Sequence, residues 1–220
     1  ITTVEDPVEY QLPGINQVQM HDEIGLNFAA SLRSILRQDP DVLLIGEIRD
    51  EETADIAVKF SMTGHLVFST VHANDAPSTI SRLLDLGVPP FLLGSSLNLI
   101  MAQRLIRTID SDEKEKDNPT SDQTQRLGLS KKEANSIKFF KGKATQQNHN
   151  TGYKGRTAIH EILEVNSSIR EMIFDAKSEF EIKAQAIKNG MTPLREAGID
   201  KIKEGISTVD EILRATVEDN

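Results

Sequence analysis

The feature that most constrains the fold is an uninterrupted apolar segment between two acidic residues, Asp41-Val-Leu-Leu-Ile-Gly-Glu47. Its apolar residues do not alternate with polar ones, which is typical of a strand buried on both faces of a parallel sheet. Residues 1–4 predict another strand, and residues 66–71 predict a second buried one. Helical periodicity is present at residues 28–37, 53–62 and 77–86. This alternation predicts an α/β fold with a mostly parallel sheet covered by helices.

The charge and composition exclude several classes of protein. The 220 residues include 25 Lys or Arg and 34 Asp or Glu, so the formal net charge is −9. This charge argues against nucleic acid or an anionic bilayer as the main partner, because Lys and Arg supply most of the affinity for phosphate. No apolar run reaches the roughly 20 residues of a transmembrane helix. The absence of Cys excludes disulfides and thiolate zinc sites and is compatible with the cytosol.

The chain divides into three predicted regions. Residues 1–109 carry the α/β pattern, and residues 110–150 begin with a polar stretch, 110–126, that predicts an exposed loop or a domain boundary. Residues 151–220 predict a strand at 156–165 and several short helices. The chain opens Ile-Thr-Thr-Val, with neither a Met nor a signal peptide, which indicates a piece of a longer protein.

Two capping boxes are predicted in the second half of the chain. Ser130-Lys-Lys-Glu133 and Thr208-Val-Asp-Glu211 both have the spacing in which a hydroxyl residue and a later Glu cap each other's backbone N–H groups. We therefore expect a helix to begin at each of them.

Polar residues follow each predicted strand. Glu5 and Asp6 come after the first strand, Glu47 after the second, and His72 after the third. The carboxyl ends of parallel strands meet at one edge of the sheet, where ligands bind in open α/β folds. An acid on such a rigid strand can hold a magnesium-bound water or polarise the attacking water of a nucleoside triphosphatase. The spacing therefore favours a nucleotide enzyme.

Other interpretations of these residues stay open. Acids next to a strand often cap the following helix or face water. His65 and His72 are seven residues apart and would point to opposite faces of a straight strand, so they are not expected to form a metal pair. Arg33 and Arg37 can be a solvated helix face. A magnesium nuclease is disfavoured by the acidic surface; it would use Glu5, Asp39, Asp41 and Glu47.

Six motifs follow one another along the chain. They are Ile1-Thr-Thr-Val-Glu5-Asp6-Pro7-Val-Glu9, Asp39 to Asp50, Gly64 to Asp75, Ala102-Gln103-Arg104-Leu105, Gly152-Tyr153-Lys154-Gly155-Arg156-Thr157, and Gly190-Met191-Thr-Pro-Leu194-Arg195-Glu196. Together they closely resemble the secretion ATPase superfamily, and within it the type II secretion and type IV pilus assembly (extension) ATPases. The first three are similar to that family's Asp box, Walker B box and His box.

The resemblance implies a RecA-like ATPase core, incomplete here, followed by a mostly helical C-terminal region. It implies a cytoplasmic homo-hexamer, peripheral at a bacterial inner membrane and not transmembrane, that uses ATP and Mg²⁺ to move an inner-membrane assembly platform. Further N-terminal domains are expected upstream in the same chain. Asp75-Ala-Pro-Ser-Thr and Asn98-Leu-Ile-Met-Ala slightly favour the pilus branch.

The resemblance also implies roles for individual residues. Glu47 is expected to be the Walker B glutamate that positions the attacking water. Glu5 and Asp6 are expected near the Mg²⁺ and the γ-phosphate. His65 and His72 are expected to sense or contact the γ-phosphate region.

Three further residues, Asp41, Arg33 and Arg37, are implied as cofactor-binding, the arginines alternatively at a subunit interface; no dedicated metal ligands are expected. The family's Walker A loop is absent from these 220 residues. Because that loop supplies the N–H cradle for the phosphates, we predict that this chain alone binds ATP poorly and hydrolyses it negligibly. A non-catalytic docking or regulatory module with the same fold stays open as an alternative.

Residues 110–150 lie where members of this branch often carry four zinc-binding cysteines. The corresponding positions lie near Asp110, Glu113, Thr145 and Asn148, none of which is a thiol. Two carboxylates and the adjacent His149 leave weak binding of a hard cation open as an alternative. We expect no zinc and a segment that is held by packing or is partly mobile. The residues expected to provide that packing are Leu127, Leu129, Ile137, Phe139 and Phe140.

Overall fold

The computed structural model describes residues 1–216. The last four residues of the predicted C-terminal region, 217–220, lie outside the described residues. Within the described range the helices are α1 (Phe28–Ile35), α2 (Glu51–Met62), α3 (Ala76–Asp85), α4 (Pro90–Ser96), α5 (Ser121–Arg126), α6 (Lys131–Ser136), α7 (Ser167–Phe174), α8 (Glu179–Lys188), α9 (Leu194–Lys203) and α10 (Val209–Ala215). The strands are β1 (Thr2–Glu5), β2 (Asn16–Gln19), β3 (Val42–Ile45), β4 (Leu66–Ser69), β5 (Leu99–Ile109), β6 (Lys114–Lys116), β7 (Phe140–Gly142) and β8 (Tyr153–Glu164).

The described residues form two compact units. The first unit contains Ile1–Ala73, Pro77–Ile100 and Glu164–Ala186. The second contains Asn74–Ala76, Met101–Leu163 and the chain from residue 187 onward. Among the described residues, no helix combines the length and the apolar character needed to cross a membrane.

The first unit is built on a four-stranded sheet with the strand order β2-β1-β3-β4. Every neighbouring pair is parallel, with Val4 opposite Ile45 and Ile45 opposite Ser69. The side chains of Val4, Leu43 and Ile45 are fully buried. The α/β fold with a mostly parallel sheet, predicted from the sequence, is confirmed.

Strands β3 and β4 are less buried than the sequence predicted, since both were expected to be covered on both faces. Val42 and Leu44 of β3 are only half-buried, so one face of this strand is more open than expected. In β4, Leu66 and Phe68 are 49% and 52% exposed. The prediction of a buried β4 is therefore wrong, because β4 lies at the edge of the sheet and no described strand lies beyond it.

Polar side chains cap the first two helices of the first unit. The side chain of Asn27 accepts a hydrogen bond from the N–H of Ala30 at the start of α1, and Asp50 accepts one from Thr53 at the start of α2, each at 2.8 Å. These side chains satisfy backbone donors that the first helical turn leaves unpaired. The helix expected at 77–86 is α3, which begins one residue earlier, directly after Asp75.

The core of the second unit lies between the strand pair β5–β8 and the C-terminal helices, which include α9 and α10. Strands β5 and β8 pair in a two-stranded sheet. The buried core cluster is Ile106, Leu127, Ile159, Leu194, Ile199, Ile202, Val209 and Ile212. The sequence pattern predicted β8 and the later helices, but it did not identify β5.

The polar stretch 110–126 is mostly exposed, as expected, but it is neither a loop nor a boundary between the two units. It contains a 3-10 helix at Ser111–Glu113, strand β6, which pairs antiparallel with β7, and helix α5. A reciprocal capping box between Thr120 and Gln123 starts α5. Local hydrogen bonds of this kind order a segment without requiring apolar side chains.

The packing expected for residues 110–150 is largely confirmed. Leu127 is buried in the core, and Leu129, Ile137 and Phe139 pack against it. Phe140 is instead covered by Lys114, whose Nζ lies 4.4 Å from the centroid of the ring.

Both predicted N-caps are present, but only one is a full capping box. Ser130 and Glu133 cap each other's backbone N–H groups at the start of α6. At the start of α10, Thr208 accepts a hydrogen bond from the N–H of Glu211. The carboxylate of Glu211 does not return to Thr208, because it binds Arg107 and Arg214.

Candidate functional site

The carboxyl ends of β1, β3 and β4 are held together by backbone hydrogen bonds. The N–H of Gly46 donates to the carbonyl of Val4 at 2.7 Å, and the hydroxyl of Thr70 donates to the carbonyl of Gly46 at 2.6 Å. A Cβ on Gly46 would lie 3.1 Å from the carbonyl oxygen of Val4. Glycine therefore allows the close approach of β1 that places the next residue, Glu47, at this edge of the sheet.

Glu47 is the centre of a charged cluster at this edge. Its Oε1 accepts a hydrogen bond from Arg49, and its Oε2 lies 3.2 Å from Nε2 of His72. Nη1 of Arg49 also lies 3.5 Å from Oδ2 of Asp6. The structure thus brings together Glu47, His72 and Asp6, which follow three different strands.

The electrostatics of the cluster keep Glu47 ionised. The hydrogen bond from Arg49 lowers the pKa of Glu47, partial burial opposes this by raising it, and the charges of Arg49 and His72 lower it further. The same pair raises the pKa of Arg49. Oε2 of Glu47 is buried, and within the described residues it accepts no aligned hydrogen bond.

Arg49 was not identified from the sequence as a site residue. It lies two positions after Glu47, and residues at this spacing in an extended segment share a face. That spacing is the signal that could have identified it. Its guanidinium links two acids that come from different strands.

Glu5 follows the same edge but has different partners. Its Oε1 accepts hydrogen bonds from the hydroxyl of Thr3 and from Nε2 of Gln17, the latter at 2.9 Å. No hydrogen bond or ion pair joins it to Glu47 within residues 1–216.

His65 lies at the opposite end of β4 from His72, because it precedes Leu66. Its ring stacks on Phe60 with the centroids 3.9 Å apart, and Nδ1 is 2.8 Å from the hydroxyl of Thr63. Nε2 is 3.9 Å from Oδ1 of Asp39. These are the contacts of a hydrogen-bonded structural histidine, and the structure does not bring His65 to the Glu47 cluster.

The remaining candidates lie outside the cluster. Asp41 is exposed and precedes β3, at the end of the strand opposite to Glu47. Arg33 on α1 pairs with Glu52 on α2, and both side chains are exposed. Arg37 is exposed in the 3-10 turn that follows α1.

The donor set fits a magnesium ion that keeps most of its water. Mg²⁺ is usually bound through one or two carboxylates, several waters and the phosphates of a nucleotide. The carboxylates of Glu47 and Asp6 are the two candidate ligands, and both are paired with Arg49 in this structure. No group of three or more His, Cys, Asp or Glu side chains that could enclose a metal is present in the part of the chain that the structure describes.

The chain was compared with known protein families and curated proteins. The family model for "Type II/IV secretion system protein" matches residues 1–214. The chain is 46% identical over 220 residues to the type IV pilus assembly ATPase PilB of Myxococcus xanthus, covering 100% of this chain and 39% of that protein. It is 45% identical over 219 residues to type II secretion system protein E of Aeromonas hydrophila, covering 100% of this chain and 43% of that protein. The chain thus spans about two fifths of the length of these relatives.

Solved structures agree with the fold. The pilus retraction motor PilT with bound ADP superposes with a TM-score of 0.70 and 26% identity, over 100% of this chain and 53% of that one. The ATPase DotB of Legionella pneumophila superposes with a TM-score of 0.65 and 19% identity, over 96% of this chain and 49% of that one. The likeness confirms the RecA-like α/β fold that the motifs imply.

Proposed function

The chain belongs to the family of type II/IV secretion system proteins, and from this premise we propose that it is part of a motor ATPase. Its parent polypeptide hydrolyses ATP to power type IV pilus assembly or type II protein secretion. The similarity to PilB and to protein E supports both branches.

The observation that carries the proposal is the cluster of Glu47, His72, Arg49 and Asp6 at the carboxyl edge of a parallel sheet. Glu47 stays ionised and orients the attacking water through its carboxylate. His72 contacts the γ-phosphate region from the end of β4. Arg49 holds both acids in place.

The other site residues complete the proposed assignment. Asp6 and Glu5 lie on the side of the magnesium ion, and Arg33 and Arg37 take the nucleotide or subunit contacts that the family motifs imply. The γ-phosphate role implied for His65 and the cofactor role implied for Asp41 are not part of the proposal, because both residues lie at the ends of their strands opposite to Glu47. Bound Mg²⁺ neutralises charge on the phosphates during transfer to water.

The assembly proposed for the parent polypeptide is a homo-hexamer on the cytoplasmic side of the inner membrane, in contact with a membrane platform. In the three-region division, 1–109 is the RecA-like core, 110–150 a cysteine-free insertion and 151–220 a helical subdomain. The 220 residues contain no phosphate-binding loop, so catalysis requires the longer polypeptide.

The test measures ATP turnover by the native full-length polypeptide and by its Glu47→Gln variant. We expect kcat to fall by about 100-fold or more, since Gln keeps the shape of Glu but cannot act as a base. Glu164→Gln, on an exposed residue of β8, is the matched control and should leave kcat unchanged. Turnover that survives Glu47→Gln would contradict the proposal. A native polypeptide without any turnover would make a docking module the better interpretation.

A further inference from the structure

Glu47 lies beyond the end of the strand pairing that holds β3 in the sheet. Strand β3 ends at Ile45, which is its last residue paired with both β1 and β4. Residues 46–50 belong to no helix or strand. The direction of the Glu47 side chain is therefore not set by strand pairing, and other hydrogen bonds have to fix the backbone there.

Thr70, the residue that follows β4, contacts the backbone on both sides of Glu47. Its hydroxyl donates to the carbonyl of Gly46 at 2.6 Å. Its own carbonyl accepts from the N–H of Ile48 at 2.9 Å. All of these residues lie in the first unit. A single residue therefore holds both the residue before Glu47 and the residue after it.

These two hydrogen bonds fix the two peptide planes that meet at the Cα of Glu47. The carbonyl of Gly46 belongs to the plane that precedes this atom, and the N–H of Ile48 belongs to the plane that follows it. Because peptide planes are rigid, only the angles φ and ψ of Glu47 relate one plane to the other. Fixing both planes sets these two angles and hence the direction in which the Cα–Cβ bond of Glu47 points.

The segment that contains Thr70 also reaches the carboxylate of Glu47. His72 follows Thr70 by two residues, and its Nε2 lies 3.2 Å from Oε2 of Glu47. Thr70 thus holds the backbone of Glu47, and His72 contacts its side chain. The two contacts come from the same short stretch after β4.

We propose that Thr70 is a positioning residue for Glu47. Its hydroxyl and its carbonyl hold the backbone in the conformation that presents the carboxylate of Glu47 to the attacking water. The catalytic consequence rests on the proposed function, but the anchoring of the backbone does not depend on it. From the motif Gly64 to Asp75 the sequence identified the two histidines as site residues, and this proposal gives a role to a third residue.

Three variants of the native full-length polypeptide test the role of the hydroxyl. Thr70→Val removes it and keeps the shape of the side chain, and because Thr70 is exposed the change leaves no cavity in the core. Thr70→Ser keeps a hydroxyl that can donate to the carbonyl of Gly46. Thr53→Val is the matched control, since the buried hydroxyl of Thr53 on α2 has no hydrogen-bond partner within the described residues.

Hydrogen exchange tests the anchoring without reference to activity. Peptides that cover residues 46–50 are followed in the unchanged protein and in the three variants. We expect exchange about fivefold faster in Thr70→Val, because a segment that has lost one hydrogen bond opens more often. Thr70→Ser and Thr53→Val should exchange at the normal rate. Normal exchange in Thr70→Val would overturn the proposal, whatever the activity.

ATP turnover by the same variants tests the positioning. Thr70→Val should lower kcat about tenfold with an unchanged KM, since a displaced carboxylate weakens an interaction made in the transition state and not in binding. Thr70→Ser should recover most of kcat, and Thr53→Val should leave kcat unchanged. A merely structural role would not produce this split between kcat and KM.

A double variant shows whether Thr70 acts through Glu47. In the Glu47→Gln protein the carboxylate that Thr70 positions is absent, so adding Thr70→Val should not lower the residual single-turnover rate any further. A further loss of about tenfold would mean that the two residues act independently. That result would overturn the proposal.

The outcomes distinguish this proposal from the proposed function. Turnover that is abolished by Glu47→Gln but unaffected by Thr70→Val would overturn the positioning role and leave the ATPase assignment intact. Turnover that is insensitive to Glu47→Gln would overturn the ATPase role of the cluster and, with it, the catalytic part of this proposal. In that case, faster exchange of residues 46–50 in Thr70→Val would still support the anchoring.

Discussion

Glu211 of α10 and Arg107 of β5 form a bidentate ion pair around a fully buried carboxylate. Oε2 of Glu211 accepts from Nε and Nη2 of Arg107 at 2.8 and 2.6 Å, and Oε1 accepts from the backbone N–H of Arg107 at 2.8 Å. Arg214 donates to both oxygens from the next helical turn. The pair connects the first long strand of the second unit to its last described helix.

This arrangement predicts a loss of stability in acid. Burial raises the pKa of Glu211, but the hydrogen bonds from Arg214 and Arg107 outweigh burial and lower it from 4.5 to about 2. A pKa that is lower in the folded state stabilises the fold above the unfolded pKa, and this contribution is lost as the pH falls from about 4.5 to about 2. The contribution at neutral pH is about 3 kcal/mol. Urea unfolding of the chain at several pH values in this window measures it.

The variant for this measurement is Glu211→Gln. The control is Glu204→Gln, because Glu204 forms an ion pair with Lys201 that is half-exposed to solvent. We expect the buried change to cost about 3–5 kcal/mol at pH 7, because it leaves two arginines without their carboxylate. The control should cost less than about 1 kcal/mol. An unfolding free energy that falls equally steeply with acid in Glu211→Gln would show that another group causes the pH dependence.

The charge on Glu47 should depend on Arg49. Arg49→Gln removes the hydrogen bond that contributes most to lowering the pKa of Glu47, so we expect this pKa to rise toward its ordinary value. Carbon NMR of the side-chain carboxyl during a pH titration measures the change. Arg33→Gln is the control, because Arg33 pairs with Glu52 and not with Glu47. A Glu47 pKa that stays unchanged in Arg49→Gln would remove Arg49 from the proposed site.

Much of the first unit could be predicted because its determinants are local. The apolar run before Glu47 predicts β3, and helical periodicity predicts α2, which begins at Glu51, two residues before the expected start. The exposure of β4 could not be predicted, since the apolar sequence of a strand does not show whether other elements cover its two faces. Strand β5 was missed because its exposed and buried positions are set by its pairing with β8, about 50 residues away.

In the candidate site, too, some features could be predicted from the sequence and others could not. The meeting of Asp6, Glu47 and His72 follows from the rule that parallel strands end at one edge. The pairing of Arg49 with Glu47 depends on side-chain conformation, which the sequence does not specify. The position of His65 was available from the sequence, since a residue that precedes a strand lies at the end opposite to the site.

Close backbone packing in the second unit predicts that one glycine cannot be replaced. A Cβ on Gly142 of β7 would lie 1.8 Å from the carbonyl oxygen of Gly152, so Gly142→Ala requires the two backbones to separate. We expect a loss of about 3 kcal/mol or more in the free energy of unfolding, measured in urea, since backbone atoms cannot move aside cheaply.

Gly128→Ala is the matched control for this substitution. Gly128 has φ +86°, and apart from its chain neighbours no described atom lies within 4 Å of the position that a Cβ would take there, so Ala meets only backbone strain. That strain costs about 1–2 kcal/mol. Equal losses in the two variants would mean that conformational preference, and not the contact with Gly152, makes Gly142 necessary.

The cysteine-free insertion should be stable without a metal because hydrogen bonds connect its two ends. Nδ2 of Asn148 donates to Oδ2 of Asp110 at 3.2 Å and to the carbonyl of Lys143 at 2.9 Å. Its Oδ1 accepts from the N–H groups of Thr145 and Gly152 at 2.9 and 3.2 Å. Asp110 and Asn148 are both buried, so every polar atom of the Asn148 amide has a partner within the insertion or directly next to it.

Asn148→Ala should therefore destabilise the chain, whereas a chelator should not. The substitution leaves the buried Asp110 carboxylate and the N–H of Gly152 without these partners, which costs about 1–3 kcal/mol for each buried polar group. Thermal unfolding should show a lower Tm for Asn148→Ala and the same Tm for the unchanged chain with and without EDTA. Asn150→Ala, on an exposed neighbour, is the control. Stoichiometric zinc in the purified chain, or a Tm that EDTA lowers, would contradict this prediction. The hydrogen bonds of Asn148 need no metal to hold the two ends of the insertion together.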